Sequence, residues 1–170
     1  MEEGLQGVIV NPGIILGPGF WHQSSGKLIE TSSKGNAFYT EGSSATIDAK
    51  DVVACMIQLT EEKHFGKRFV LTENNYSFKE ILSETNKALG KKEPYINAGK
   101  SLLILAKWMD KFRCMFTGKD PVITKETITS GLEKNSFNNT RIKQTINYEF
   151  VPLKDTLKFV CDAFLKDIKK

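Results

Sequence analysis

The chain has 170 residues, of which 40% are hydrophobic and 26% charged, so it has the composition of an ordinary globular domain. A chain of this length buries roughly 70% of the surface that its unfolded form exposes, which excludes a miniprotein held together by disulfides or a metal. The net charge of +4 is small and scattered along the chain, so we expect no nucleic-acid partner.

The first residues predict two short strands and a helix. The β-branched run at 8–10 is typical of a buried strand, and it ends at Asn11-Pro12-Gly13. Residues 14–16 form a second apolar step. Apolar spacing then predicts a helix over 20–34, with Gly35 as its C-terminal cap.

The following segments continue the alternation of strands and helices. Residues 37–39 and 45–47 are short strands that are candidates for a hairpin. Asp48 precedes an apolar periodic stretch and is an N-cap, and residues 68–71 form a further strand. The sequence from Ser77 to Glu80 is a capping box that opens another helix. This alternation predicts an α/β fold.

Residues 94–170 predict helix after helix and no strand. An apolar face runs along 102–112, and Thr124 opens a further helix. Over 153–168 the apolar residues recur at three- and four-residue steps, which predicts one buried stripe on a terminal helix. We therefore divide the chain into an α/β segment with a hairpin, residues 1–93, and a helical segment, residues 94–170.

The three cysteines are Cys55, Cys114 and Cys161. They are odd in number and far apart, which predicts reduced thiols in a cytoplasmic protein. The longest uncharged stretch, residues 4–26, contains two prolines and so cannot form a continuous membrane helix. The first residues are acidic where a signal peptide carries Lys or Arg. We expect a soluble, cytoplasmic protein without a membrane partner.

Few residue patterns indicate chemistry. His22 and His64 lie outside any metal-ligand spacing, so we expect no metal site. The sequence contains no Gly-rich phosphate loop and no GxSxG elbow. Asp48 and Asp51 are a candidate carboxylate pair for acid–base catalysis. Their spacing at a helix start favours a structural role as cap and first-turn residue instead.

The most specific signal is the order of three segments. They are Asn11-Pro12-Gly13 with Gly17-Pro18-Gly19 behind it, Ile47-Asp48-Ala49-Lys50-Asp51-Val52-Val53, and Gly66-Lys67-Arg68-Phe69-Val70-Leu71. Their order resembles the C-terminal half of an extended short-chain dehydrogenase/reductase, of the NAD-dependent epimerase/dehydratase superfamily and similar to dihydroflavonol reductases. The resemblance spans the whole chain. It implies a partial Rossmann-type sheet followed by a mostly helical substrate-binding domain.

The catalytic parts of this family are absent from the chain. In the family, the first half carries a Gly-rich cofactor loop and a Tyr-x-x-x-Lys pair. Here the residues four positions after the tyrosines are Ser43, Glu80, Gly99 and Pro152, never Lys. The resemblance therefore implies a substrate-side portion, either a fragment or a truncated reading frame, with no catalytic residue. By itself it is expected to be inactive and to bind no cofactor tightly.

Two groups of residues carry over from the family. The resemblance places the first group beside the nicotinamide of NAD or NADP in the full-length parent: Pro12, Gly13 and Ile14. It places the second group at the substrate pocket: Trp21, His22, Gln23 and Ser24. The first group also agrees with physics, because ligands lie outside the carboxyl ends of parallel strands.

The resemblance implies that the parent acts on a small carbonyl compound or a nucleotide sugar. Asn11 stands where nucleotide-sugar enzymes of the family usually carry Arg, which favours a reductase of small carbonyl compounds or an uncharacterised branch of the family. The segments 118–121 and 139–141, together with 148–153, look like the late helices of the reductase-like branch, where Ser-Lys often replaces the Thr140-Arg141 found here. An apolar set forms either a substrate wall or, as we favour, helix packing: Phe112, Cys114, Met115 and Phe116.

Two functions remain open. The parent is an NAD(P)-dependent oxidoreductase or epimerase/dehydratase, or the chain is a non-catalytic binding module that retains this half of the fold. In the family, the strands at 8–10 and 68–71 belong to the Rossmann sheet. Without the rest of that sheet they would expose an edge, so we expect a homo-oligomer.

Overall fold

A computed structural model describes residues 4, 6–117 and 124–169. The strands are β1 (Ile9–Pro12), β2 (Ile14–Leu16), β3 (Phe38–Tyr39), β4 (Ser43–Asp48), β5 (Arg68–Leu71), β6 (Asn74–Ser77) and β7 (Ile96–Asn97). The helices are α1 (Ser24–Ser33), α2 (Ala49–Glu61), α3 (Phe78–Ala88), α4 (Lys100–Thr117), α5 (Lys125–Leu132), α6 (Thr140–Thr145) and α7 (Leu153–Asp167). The predicted α/β class is confirmed. The segment 118–121 lies outside the described residues.

The described strands form three short sheets. They join β1 to β5, β4 to both β2 and β6, and β3 to β7. Only the pair of β4 and β6 is antiparallel. Pro12 lies opposite Leu71, so β1 and β5 end at the same level. After Gly13 the chain leaves β5 and continues as β2, with Ile14 opposite Thr46 of β4.

The expected hairpin between residues 37–39 and 45–47 is wrong. Strand β3 pairs with β7, whereas β4 pairs with β2 and β6. The reason lies in the intended turn, whose backbone groups bond elsewhere. The N–H groups of Gly42 and Ser43 donate to the carbonyls of Gly131 and Glu133. These long-range bonds draw the chain away from a local turn.

Two strands, β6 and β7, escaped the sequence analysis. Strand β6 has the sequence Asn-Asn-Tyr-Ser, which lacks the apolar alternation typical of a strand. Strand β7 has two residues and lies beyond residue 94, where no strand was expected. Both form because a partner strand supplies the hydrogen bonds, and neither has a local signal.

Helix α1 begins later than the apolar spacing predicts. Residues 20–23 form a turn in which the N–H of Gln23 donates to the carbonyl of Phe20, and the helix starts at Ser24. Its predicted end is confirmed. Gly35 has φ +84° and its N–H donates to the carbonyl of Ser32. A glycine reaches this left-handed conformation without a steric cost.

The three predicted helix caps are confirmed. The Asp48 carboxylate accepts from the N–H of Lys50 at 2.8 Å. Ser77 and Glu80 form the reciprocal capping box of α3. The Thr124 hydroxyl accepts from the N–H of Thr127 at the start of α5. These caps are local features, since each depends on residues two or three positions apart.

The apolar core has two centres. The first joins β2, α1, α3 and α7, and the predicted stripe of α7 lies in it through Leu153, Leu157, Val160 and Phe164. Ile168, the last member of that stripe, is exposed instead. The second centre joins β4, α2 and β5 to residues 142–150. Helix α7 packs on elements of residues 1–93, so the two predicted segments share a core. The domain boundary at 93/94 stays a prediction.

Asp51 joins α2 to the segment that precedes α7. Its carboxylate is fully buried and accepts from the Tyr148 hydroxyl at 2.8 Å and from the N–H of Val151 at 2.9 Å. Burial raises the pKa of Asp51, and the two hydrogen bonds oppose that rise. The pair links residues about one hundred positions apart in sequence. It is a structural connection within the second core.

We expect Tyr148→Phe to lower the free energy of unfolding by about 1–2 kcal/mol, because a buried carboxylate loses one of its two donors. The loss of that donor raises the pKa of Asp51 further. The cost therefore shrinks as the pH falls and Asp51 becomes protonated. Urea unfolding at neutral and acidic pH measures both effects. Tyr95→Phe, at a tyrosine that is 73% exposed, is the matched control and should change little. Equal costs for the two variants would contradict the assigned role.

Candidate functional site

The first candidate group lies where β1 and β5 end together. Both strands run in the same direction, and Pro12 stands opposite Leu71 at their carboxyl ends. Pro12 is exposed, whereas Gly13 and Ile14 are half-buried. In open parallel sheets ligands bind outside this edge. The structure thus brings Pro12 to a position that a ligand can reach.

Gly13 is required by packing inside the protein. Its N–H donates to the carbonyl of Leu71 at 3.0 Å. A Cβ at this position would lie 2.5 Å from the carbonyl oxygen of Ala45 and 3.0 Å from the Cγ2 of Thr72. The absence of a side chain therefore lets the chain pass between β4 and the end of β5. The glycine serves this crossing, and an approaching ligand is not needed to explain it.

The segment after β5 is fixed by an amide that the sequence analysis did not single out for this role. Asn139 donates from Nδ2 to the carbonyls of Thr72 and Glu73, at 2.7 and 2.9 Å. The Oγ1 of Thr72 is buried and has no hydrogen-bond partner among the described residues. Tyr76 donates from its hydroxyl to the Glu73 carboxylate, and burial together with this hydrogen bond raises the pKa of Tyr76 to about 12. The segment beside Gly13 is thus held by Asn139 from a distant part of the chain, together with the local bond between Tyr76 and Glu73.

The second candidate group does not converge on one pocket. Trp21 packs edge-on against Phe164 and donates from Nε1 to Asp167 at 3.1 Å, so its ring is held by α7. His22 is 86% exposed, and its Nδ1 lies 3.3 Å from a carboxylate oxygen of Glu30. The hydrogen bond from Lys34 at 2.8 Å, and to a smaller extent the contact with His22, hold the pKa of Glu30 below its usual value. Trp21 and His22 thus point to different partners.

The start of α1 lies against the first candidate group. Gln23 is the N-cap residue of α1 and makes no side-chain cap bond, and Ser24, with φ +46°, begins the helix. The next residue, Ser25, donates from Oγ to the carbonyl of Ile15 at 2.6 Å. This bond ties the helix start to β2, directly after Ile14. The two groups are therefore neighbours, although the structure gives no contact between their side chains.

Phe20 is a feature of this region that the helix prediction concealed. It is 87% exposed and has φ +25°, which an aromatic residue rarely adopts. The turn is held closely against α1, since a Cβ at Gly26 would lie 2.5 Å from the carbonyl oxygen of Phe20. A Phe-Trp pair directly after Gly-Pro-Gly was the available signal. It places an exposed ring beside the substrate candidates.

The proposed apolar set on α4 is not packed in the interior. Phe112, Met115 and Phe116 are exposed and Cys114 is half-buried. The interpretation as helix packing is therefore wrong for the three large side chains. The spacing of apolar residues predicts a face correctly, but it cannot say what covers that face.

The described residues offer little acid–base or metal chemistry. No group of three His, Cys, Asp or Glu side chains among them is arranged to hold a metal ion. Asp48 caps α2 and Asp51 is buried with two donors, so the structural interpretation of this pair is confirmed. Burial raises the pKa of Cys55 to about 11 and that of Cys161 to about 12, which leaves both thiols protonated at neutral pH.

Comparison with known proteins shows the fold. No family model and no curated protein matches the chain. A nucleoside-diphosphate-sugar epimerase from Pseudomonas aeruginosa superposes with a TM-score of 0.69 at 19% identity, over 96% of this chain and 49% of the epimerase. A UDP-glucose 4-epimerase from Thermotoga maritima, solved with UDP-glucose, gives 0.69 at 18%, over 98% and 48%. A human epimerase family protein, solved with NADPH, gives 0.68 at 16%, over 91% and 48%.

These similarities confirm that the chain has part of the Rossmann-like fold of epimerases and short-chain dehydrogenases. The chain spans about half the length of the structures that it matches. At these identities the likeness establishes the fold alone. The contacts of Pro12, Gly13 and Ile14 with a cofactor, and of residues 21–24 with a substrate, stay predictions.

We expect Gly13→Ala to lower the free energy of unfolding by about 1–3 kcal/mol, because the new methyl group meets a backbone carbonyl that cannot move freely. Gly7→Ala is the matched control, since a Cβ there has nothing within 4 Å. Its free energy of unfolding should remain within about 1 kcal/mol of that of the unmutated chain. Thermal or urea unfolding of both variants measures the difference. If Gly13→Ala is as stable as Gly7→Ala, the close crossing at Gly13 is wrong.

Proposed function

We propose that the chain is the substrate-side, C-terminal half of an extended short-chain dehydrogenase/reductase. The observation that carries the proposal is the match of nearly the whole chain to about half of each similar structure. The parent would be an NAD(P)-dependent oxidoreductase or epimerase/dehydratase. The similar human protein was solved with NADPH, and the similar Thermotoga protein with UDP-glucose.

The pairing of β1 and β5 supports the proposal that this chain contains only part of a larger sheet. Among the described strands, β1 pairs with β5 alone, so its other edge carries no partner. Ile9 on β1 is exposed, as are Val53, Met56 and Ile57 on α2. A parallel sheet is normally covered on both faces and continues over more strands. The missing strands and helices would come from the N-terminal half of the parent.

The residues at the end of β1 fit a nicotinamide ring. Pro12 presents an exposed apolar surface at the carboxyl edge, and the bond from Gly13 to Leu71 holds its position. When bound, NAD(P) supplies the hydride acceptor or donor. Pro12, Gly13 and Ile14 would orient the ring. Phe20 and residues 21–24, at the start of α1, would close the substrate side and exclude water.

The chain contributes orientation, and proton transfer would belong to the other half. None of the described residues of the site combines an exposed titratable group with a partner that would tune it for catalysis. The His22–Glu30 pair comes nearest, but the His22 side chain is 86% exposed and its contact with Glu30 is 3.3 Å long. A small carbonyl substrate is favoured over a nucleotide sugar because Asn11, at the exposed end of β1, offers an amide instead of a cation. Neutral carbonyl oxygens accept hydrogen bonds from an amide, whereas diphosphates favour Arg.

Cofactor binding tests the proposal. The DNA upstream of Met1 is read first, and an open frame with a Gly-rich loop and Tyr-x-x-x-Lys would encode the other half. The joined protein should bind NADPH saturably, which is measured as a change in NADPH fluorescence, and excess NADP should reverse that change. The present chain at the same concentration should cause no such change. Saturable binding by the present chain, or none by the joined protein, would contradict the proposal. The lack of any such half upstream would favour a non-catalytic binding module.

The open edge of β1 generates a second prediction. We expect the isolated chain to self-associate at micromolar concentration, because an uncovered strand edge pairs with another copy. Ile9→Lys places a charge on that edge and should give a monomer in sedimentation velocity. Ile168→Lys, at an exposed apolar residue near the end of the chain, is the control and should leave association unchanged. If the unmutated chain is itself a monomer at micromolar concentration, the edge of β1 is not an interface.

A further inference from the structure

Helix α4 carries a broad apolar face that the described part of the protein leaves uncovered. The helix packs on α5, and its Leu103 lines a cleft with residues of α1 and α3. Its other large apolar side chains are between 38 and 73% exposed. They are Leu102, Ile104, Leu105, Trp108, Met109, Phe112, Met115 and Phe116. An apolar patch of this extent on a protein surface indicates an interaction site.

The eight side chains cover one continuous side of α4. Successive residues of an α-helix are turned by about 100°, so these positions span an arc of roughly 160°, interrupted only by Ser101. Lys111 lies at one border of the arc, with Lys107 beyond it, and Arg113 lies at the other border. Long basic side chains can lie along an apolar surface while their charged ends reach outward.

The basic border extends onto α5. A cleft of about 460 Å³ between α4 and α5 has Ile104, Trp108 and Ile128 among its lining residues. The remaining lining residues are Thr129 and four lysines, Lys100, Lys107, Lys111 and Lys125. The Nζ of Lys111 lies 5.7 Å from the centre of the Trp108 ring. No carboxylate lines this cleft.

Acidic groups around the face are few and engaged. Asp110 forms an ion pair with Arg113 at 2.7 Å. Hydrogen bonds from its own backbone N–H and from the Thr124 side chain lower the pKa of Glu126, and the charges of Lys107 and Lys125 add to that effect. The surroundings of the apolar arc are therefore net positive. This charge, combined with the aromatic rings of Trp108 and Phe112, matches a surface that is negative outside and apolar beneath.

We infer that α4 lies flat on an anionic phospholipid surface, with its apolar arc among the acyl chains and its lysines at the lipid phosphates. The inference goes beyond the proposed function and does not depend on it. No described helix is long and apolar enough to span a bilayer, and α4 is not required to do so. We expected no membrane partner on the ground that no segment spans. A helix parallel to the surface needs only one apolar side.

A protein partner is the competing occupant, and the border of the arc argues against it. Protein interfaces are depleted in Lys at their core and are enriched in Arg. Here lysines line the cleft next to Trp108, and the single Arg113 is paired within the helix. Amphipathic helices at membranes combine Lys on the polar border with Trp, Phe and Leu on the apolar side. Helix α4 has this composition.

Flotation of the full chain with lipid vesicles tests the inference. We expect binding to phosphatidylcholine vesicles that contain phosphatidylserine, much weaker binding to phosphatidylcholine alone, and a marked decrease at high salt. Lys107→Glu with Lys111→Glu should lower the partition constant about tenfold or more. Lys154→Glu with Lys158→Glu makes the same change of net charge in a groove that also holds four carboxylates. This control pair should lower the constant far less.

The apolar side is tested in the same assay. Met109→Ser with Phe112→Ser should abolish flotation, whereas Val53→Ser with Ile57→Ser, on the exposed side of α2, should retain it. In a Trp21→Phe background, Trp108 is the remaining tryptophan, and its fluorescence should shift to the blue with anionic vesicles. Circular dichroism checks that each variant is folded, and the salt dependence of the parent chain needs no variant.

Several outcomes would overturn the inference. The unmutated chain could fail to float with anionic vesicles, or it could float equally well with phosphatidylcholine alone. The control lysine pair could lower the partition constant as much as the α4 pair does, or the fluorescence of Trp108 could show no blue shift. The unmutated chain could also fail to float and instead form an oligomer that Met109→Ser with Phe112→Ser dissociates. That result would identify a second copy of the chain as the occupant of this face. Failure of NADPH binding in the joined protein would leave these results unaffected, so the two proposals are tested separately.

Discussion

The fold depends on the crossing at Gly13, where the chain leaves the ladder of β1 and β5 and joins β4. The crossing requires a residue without a side chain, because the carbonyl of Ala45 occupies the space that a Cβ would take. The bond from Gly13 to Leu71 fixes where β1 ends. After this crossing β2 leads into α1, and the bond from Ser25 to Ile15 holds the start of that helix against β2. The candidate site is therefore a consequence of backbone packing.

Two surfaces of the protein are incomplete, and they differ in physical character. Among the described strands, β1 has a partner on one side only, and another part of a sheet can satisfy the backbone groups of its other edge. The face of α4 has no backbone groups to satisfy, since a helix bonds internally, and it offers side chains alone. Strand pairing would cover the first surface, and an apolar medium bordered by negative charge would cover the second. Different partners are thus expected for each.

Long-range polar contacts add to the apolar core in joining distant parts of the chain. The Asp51 carboxylate connects α2 to the segment before α7, and the Asn139 amide holds the segment after β5. Sequence analysis assigned Asp51 to the first turn of a helix, which is correct, yet its partners were beyond prediction. A buried carboxylate is stable only when donors reach it, and those donors come from residues near 150. Local spacing carries no information on them.

The sequence by itself determined the features that depend on a few neighbouring residues. The caps at Asp48, Ser77 and Thr124, the end of α1 at Gly35, and the buried stripe of α7 follow from hydrogen bonds and periodicity within one or two turns. Only the tertiary structure decided which strands pair, so the expected hairpin failed and the polar strand β6 went unnoticed. It also decided that the described part of the protein leaves most of the apolar face of α4 exposed. Periodicity defines a face, but packing between distant segments decides what lies against it, because burial is a property of the whole fold.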